Sequence, residues 1–350
     1  MKMSRLLMVV ALATLFVVSA AFASPVQAVE PMMQDVRPGY GVTGIGWLSD
    51  YHPSLRGTPV DTRVYYLDSG VPGPTLFILG GTHSNETAGI MSATLFVERA
   101  VATKGRIIVV PYANQSGASY PDTQHPEIGF ITINTASGER HFRYGDRRTN
   151  PAHQSPDPVK YVHYPTGVEF EGNESRNLDR AHPGKADGTL TQQLAYAYQQ
   201  LILTEKVDVA FDLHEAGMMS RLANMVIANP KNLDYAVIAI VEMELQGIVM
   251  NVEHSDDQFP GLSHREWGDH TQAAAYLIET PNPGQGSEDV MNPDIVNHPV
   301  APLALRVATH IATIDAVLEA HEMMDGQRTE WTGMPSYSEL VKSGLGAYLR

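Results

Sequence analysis

Along most of the chain, short apolar runs alternate with stretches whose apolar residues recur every three to four positions. Residues 62–67 (TRVYYL), 75–79 (TLFIL) and 106–110 (RIIVV) are rich in β-branched and aromatic side chains and read as strands. The first two are joined by Asp-Ser-Gly-Val-Pro-Gly-Pro, a dense turn signal. Residues 86–102, 190–204, 233–245 and roughly 300–322 have the period of a helix. Further strands are predicted at 207–213 (VDVAFDL), 224–227 and 274–279. Strands that alternate with helices predict an α/β protein with a mixed, mainly parallel central sheet covered on both faces.

Three regions break the pattern. Residues 29–51 carry Pro, Gly and aromatics without periodicity and read as a loose lead-in. Residues 111–175 lose apolar periodicity, and a connection this long is either a covering loop or a disordered insertion. It contains Arg143, Arg147 and Arg148, which read as a site for an anionic substrate or, by default, as a solvated basic cluster, and His141, His153 and His163. Residues 251–270 form a polar stretch with His254, His264 and His270, read as solvated loop histidines or as a substrate-binding loop. The expected organisation is a lead-in at 24–61 and one domain over 62–350 with the insertion at 111–175.

Residues 1–23 have a different character. Lys2 and Arg5 precede an apolar run at 6–18 that ends near Ala21-Phe22-Ala23, the layout of a secretory signal peptide. Val26-Gln27-Ala28 offers a second cleavage point. The run is shorter than the roughly 20 residues of a spanning helix. Export to the periplasm or the medium, without lasting membrane insertion, is the expectation.

Composition narrows the chemistry. The 350-residue chain is 43% hydrophobic and 18% charged, which is globular composition. Its 24 basic against 39 acidic side chains give a formal charge of −15, the reverse of what a nucleic-acid binder uses to neutralise phosphates. Cysteine is absent, which excludes disulfides, thiol nucleophiles, iron–sulfur clusters and Cys-ligated zinc. Any metal has to be held by His, Asp and Glu, and 14 histidines supply the material.

Candidate chemistry collects at three predicted strand ends, where open α/β sheets gather ligand-binding groups. Gly80-Gly81-Thr82-His83-Ser84-Asn85-Glu86 follows the strand TLFIL, and its His and Glu stand three apart where strand passes into helix. His214 stands just past the strand VDVAF, and Glu279 ends the apolar strand YLIE. One at a time such residues are more often structural; three such ends in one chain point to a site. Two histidines and a glutamate are a catalytic zinc set with one position open, and a separate carboxylate can then act as general base. Asp212, two residues before His214, is expected on the opposite sheet face, although a carboxylate that orients a ligand histidine makes physical sense.

The order His-x-x-Glu after a Gly-Gly turn, an arginine motif, Asp-x-His and a strand-terminal Glu resembles the zinc carboxypeptidases. The spelling GGTHSNETAG is most similar to their succinylglutamate desuccinylase/aspartoacylase branch, which usually has Gly where Ser84 stands. The resemblance covers about residues 62–282. It implies a zinc-carboxypeptidase-like α/β/α sandwich, one Zn²⁺ per chain on His83, Glu86 and His214, and Glu279 as general base. Ser175-Arg176-Asn177-Leu178-Asp179-Arg180 is similar to the family's Asp-Leu-Asn-Arg motif. The resemblance implies that Arg180 binds substrate carboxylate or carbonyl, with Arg176, Asn177 and Asp179 beside it. Here Asn177 stands where the family has Asp, and Asp179 where it has Asn. An ionised Asp cannot donate a hydrogen bond and repels a carboxylate. The family's tyrosine has no counterpart that the motifs identify, and Arg265 is the nearest candidate for its second arginine. The short chain after Glu279 implies that the β-domain narrowing the aspartoacylase pocket is missing.

The implied function is an exported zinc-dependent hydrolase of an amide bond, a deacylase of N-acyl amino acids with Glu279 and Arg180 as catalytic groups. The expected partner is a small-molecule or peptide substrate, carboxylate-bearing, with no nucleic acid. One alternative is a metallocarboxypeptidase for peptides or cell-wall fragments; another is a non-catalytic binding protein that retains the fold.

Overall fold

The structure is a computed structural model that describes residues 34–255, 260–286, 292 and 294–350. The expected signal peptide lies outside the described residues.

β1 (Gly44–Trp47) and β2 (Arg63–Asp68) are antiparallel neighbours, and β3 (Thr75–Gly80) feeds α1 (Thr87–Arg99). β4 (Val101–Lys104) turns directly into β5 (Arg106–Val110). The short α2 (Gln115–Ala118) leads to two strand pairs, β6 (Phe130–Thr135) with β7 (Gly138–Arg143) and β8 (Lys160–Val162) with β9 (Glu169–Glu171). α3 (Leu190–Thr204) precedes β10 (Val209–Gly217) and β11 (Met225–Ala228). α4 (Leu233–Leu245), β12 (Asn251–His254), α5 (Ser263–His270) and β13 (Ala274–Asn282) follow, then α6 (Leu303–Asp325), β14 (Glu330–Thr332) and α7 (Tyr337–Ser343).

The central sheet has eight strands in the order β1-β2-β5-β3-β10-β13-β11-β12. Its middle, β5-β3-β10-β13, is parallel, while β2 and β11 run antiparallel to it. The sheet is therefore mixed and mainly parallel, as the alternation of strands and helices predicts. Leu76, Ile78, Phe211 and Tyr276 pack on one face with Phe96 of α1 and Ile314 of α6. Phe77, Leu79 and Ala275 pack on the other with Tyr198 and Leu201 of α3 and Trp267 of α5. Burial on both faces explains why these strands are continuous apolar runs.

Four departures from the predicted elements have physical causes. β10 and β13 run past their apolar cores, pairing as far as Gly217 with Asn282, whereas β3 accompanies β10 only to Gly80. His214 and Glu279 therefore lie inside strands, held on one side by each other's backbone. β1 forms within the lead-in and β12 within the polar stretch; both are edge strands, where a half-exposed composition carries little strand signal. The 111–175 segment holds α2 and the two short strand pairs instead of a structureless loop. The helix predicted over 86–102 stops at Arg99 because Ala100 is already extended and β4 begins at Val101.

Candidate functional site

The turn from β3 into α1 builds half of the site. Gly81 has φ 75°, and a Cβ there would stand 2.9 Å from the Pro111 carbonyl oxygen. The Glu86 N–H donates to the His83 carbonyl oxygen at 3.1 Å, which closes a turn and sets His83 Nδ1 2.8 Å from Glu86 Oε1. A Cβ on Gly89 would come 2.2 Å from the Leu213 carbonyl oxygen. Its absence lets α1 settle against β10 and carries Glu86 to His214.

β10 and β13 build the other half. His214 and Glu279 are register partners on adjacent parallel strands, so their side chains leave the same face side by side. His214 Nδ1 lies 2.9 Å from Glu86 Oε2 and 3.2 Å from His83 Nδ1. Asp212 shares this face, contrary to the expectation, because strand alternation has a period of two and residues 212 and 214 are in phase. Its Oδ2 lies 3.0 Å from His214 Nε2, and its Oδ1 accepts from the Thr82 hydroxyl at 2.8 Å.

Hydrogen bonds behind the ring nitrogens decide which lone pairs are available. Asn177 Nδ2 donates to Glu174 at 2.7 Å, so its oxygen is the atom turned to His83 Nε2 at 3.0 Å. His83 then carries its proton on Nε2, and its Nδ1 lone pair faces Glu86. The charge of Asp212, whose Oδ2 lies 3.0 Å from His214 Nε2, favours the same tautomer for His214. Two Nδ1 lone pairs and a carboxylate thus converge in a buried pocket, with ligand atoms within 4.8 Å of one another. Burial opposes charge on His214, yet Asp212 and Glu86 overcome it and hold its pKa well above the ordinary value. Burial also works against the Glu86 carboxylate, but His83 and His214 hold its pKa well below the usual range. Burial and the Arg147 charge lower the pKa of His83, so its ring is held neutral, and the donor set of the three fits a divalent metal ion.

Glu279 stands apart from this trio. Its Oε2 is inaccessible and has no hydrogen-bond partner among the described residues. Burial, with the Glu86 charge adding to it, pushes its carboxyl well above the usual carboxylate range against the opposing pull of His214 and Arg147.

The family model for the succinylglutamate desuccinylase/aspartoacylase catalytic domain matches residues 72–280, more than half of the chain. The chain belongs to this family. A curated relative, N-alpha-acetyl-L-2,4-diaminobutyric acid deacetylase of Halomonas elongata, is 26% identical over 147 residues, which are 41% of this chain and 29% of the relative. The chain thus matches less than a third of that relative's length. Among solved structures, succinylglutamate desuccinylase/aspartoacylase of Rhodobacter sphaeroides aligns with TM-score 0.45 at 16% identity, covering 86% of this chain and 70% of the other. The apo cell shape determinant protein Csd4 of Helicobacter pylori aligns with TM-score 0.45 at 14% identity, covering 77% and 55%.

Within this family frame, the Asn177–Arg180 motif divides between two tasks. Asp179 and Arg180 line a cleft together with His83 and Glu279. Asn177 lies behind His83 and is fully buried, so it positions a ring and does not reach substrate. Arg176 is also turned away: its guanidinium pairs with Asp157 at 2.7 Å and donates to the Thr149 carbonyl at 2.7 Å. Arg265, the candidate second arginine, is engaged by Asp269 one helical turn on at 2.6 Å and is not among the cleft-lining residues. Besides Arg180, Arg147 and Arg221 line the cleft, and Arg147 Nη1 lies 3.3 Å from Glu86 Oε1. Its loop is pinned by buried Asp146, which accepts from the Thr123 and Arg148 backbone N–H groups at 3.2 and 2.8 Å. Gln285 also donates to Glu86 Oε1, at 3.2 Å.

The histidines read as solvated divide too. His264 is buried and lines the cleft, and buried His163 faces the His182 carbonyl oxygen at 2.6 Å. Both lie where α5 and the 160–182 segment fold over the sheet, a packing that local polarity does not announce. His254 and His270 remain exposed.

Proposed function

We propose that the protein is a zinc-dependent hydrolase of amide bonds, an N-acyl amino acid deacylase. The observation that carries this reading is Glu279: a buried carboxylate oxygen without a partner, side by side with His214 at the mouth of a three-ligand pocket. A site for binding alone has no use for a base there. Zinc held by His83, Glu86 and His214 would supply a Lewis acid and lower the pKa of water toward about 7. Glu279 takes the proton of the attacking water and hands it to the leaving nitrogen. Arg147 is placed to donate to the scissile carbonyl oxygen as negative charge builds on it. Arg180, whose guanidinium carbon sits 5.8 Å from the Phe170 ring centre, is steadied to grip a substrate carboxylate through a two-pronged contact. The Halomonas elongata relative, by name a deacetylase of an N-acetyl amino acid, supports this substrate class.

The test is metal analysis of the purified protein joined to a hydrolysis panel. About one zinc per chain, lost to chelator together with cleavage of N-acyl amino acids, is expected. Zinc-loaded protein that cleaves only the C-terminal residue of peptides would make it a carboxypeptidase. Silence on both panels would make it a binding protein.

A further inference from the structure

We propose that the cleft wall formed by Asp179, Ser255 and His264 is a subsite for a primary ammonium group, so that the preferred substrate carries a free amine besides the scissile amide. The inference rests on the deacylase reading and names its substrate class.

Asp179 brings a carboxylate to a wall where the family motif has a neutral amide. It is 3% exposed, and its Oδ1 accepts from the Ser263 backbone N–H at 2.9 Å. Arg180 Nη1 comes only within 4.0 Å of Asp179 Oδ2, a loose ion pair, and gives its proton to the Asp179 backbone oxygen at 2.6 Å, so it makes no hydrogen bond to the carboxylate. Asp212 and His214 lie close by, with carboxylate and ring atoms of the three residues within 4.8 Å of one another. A buried carboxylate left in this state costs free energy that a docked cation would recover.

Two independent groups face the same cleft with unused hydrogen-bonding capacity. His264 is 1% exposed, and neither ring nitrogen has a partner among the described residues. Burial lowers its pKa to about 4, so at neutral pH the ring is uncharged and one nitrogen is an acceptor. The hydroxyl of Ser255, 2% exposed, is likewise unpartnered. Buried polar groups are nearly always satisfied, so two on one wall call for a ligand. A carboxylate, a neutral imidazole and a hydroxyl make three acceptors, which suits the three N–H donors of an ammonium. Asp179 repels a second substrate carboxylate at the same place.

Calorimetry on the zinc-loaded protein reads the subsite without hydrolysis. The probes are 2,4-diaminobutyrate, ornithine and lysine, each against its methyl-ended analogue, with glutamate as the acidic control. At least one diamino acid should bind roughly 10- to 100-fold more tightly than its analogue, the range of a charged hydrogen bond. Asp179→Asn keeps an acceptor for the Ser263 N–H and should erase that preference at normal zinc content and Tm; Ser255→Ala should reduce it. No preference for any diamino acid, a preference that survives Asp179→Asn, or tighter binding of glutamate would overturn the subsite. So would a second equivalent of zinc that Asp179→Asn loses, since the cation would then be a metal ion. Selective binding without cleavage of any N-acyl amino acid would sink the deacylase reading and leave the subsite standing; cleavage without preference would do the reverse.

Discussion

His214 and Glu215 are neighbours on β10 that point to opposite faces of the sheet, and each anchors a fully buried charged cluster. On the Glu215 face each carboxylate oxygen and each guanidinium nitrogen has a partner. Arg306 bonds Glu215 Oε1 and the Ile295 carbonyl, and its Nε donates to the Ala301 carbonyl at 3.1 Å. Glu215 Oε2 accepts from the Ala88 N–H at 2.9 Å and so caps the first turn of α1. On the His214 face, Glu279 Oε2 and both nitrogens of His264 are left without partners among the described residues. Burial and charge are alike on the two faces; closure differs. A closed network holds α1, α6 and β10 together, whereas the cleft face keeps open valences that a ligand can use.

The largest effect should fall on the open face and on activity alone. Glu279→Gln keeps the shape and removes the base, so kcat/KM should drop by about 10²–10⁴ while zinc content and Tm stay near normal. Loss of zinc in this variant would break the contrast by making Glu279 a ligand. On the closed face the effect should be stability. Arg306→Met strands Glu215 in the core and should cost about 3–5 kcal/mol in denaturant unfolding, with Arg306→Met/Glu215→Gln recovering part of it. Unchanged stability would show that the pair is dispensable. Asp212→Asn tests the layer between the faces: it keeps an acceptor near His214 and removes its charge, so zinc affinity should weaken by about 10- to 100-fold in a chelator competition. The smallest effect belongs to Arg265→Ala. With that side chain turned to Asp269, stability should move within about 0.5 kcal/mol and KM should stay put; a large rise in KM would return Arg265 to the cleft.

The parts of the site that were legible in sequence are those made by local geometry. His83 and Glu86 meet through a turn of three residues, and Gly81 is needed for it. His214 and Glu279 were legible because apolar runs mark the strands that carry them. The residues that tune the site were not. Asn177 reaches His83 across 94 positions and Arg147 reaches Glu86 across 61, and no periodicity links such pairs. Arg147 and Arg265 look alike as letters in polar segments. Only the pinning of one loop by Asp146 and the capture of the other guanidinium by Asp269 separate them.

Composition, period and spacing by themselves pointed to an α/β sheet clad on both faces, excluded sulfur ligands, and singled out His83, Glu86, His214 and Glu279. Each depends on properties a segment carries alone: which side chains are apolar, which backbone takes positive φ, which residues stand three apart. Tertiary structure alone decided that β10 and β13 run on together past β3, that Asp212 stands behind His214, and that His264 is buried while His254 is not. The physical reason is that burial and hydrogen-bond closure belong to what folds over a residue, and that covering comes from chain far away in sequence.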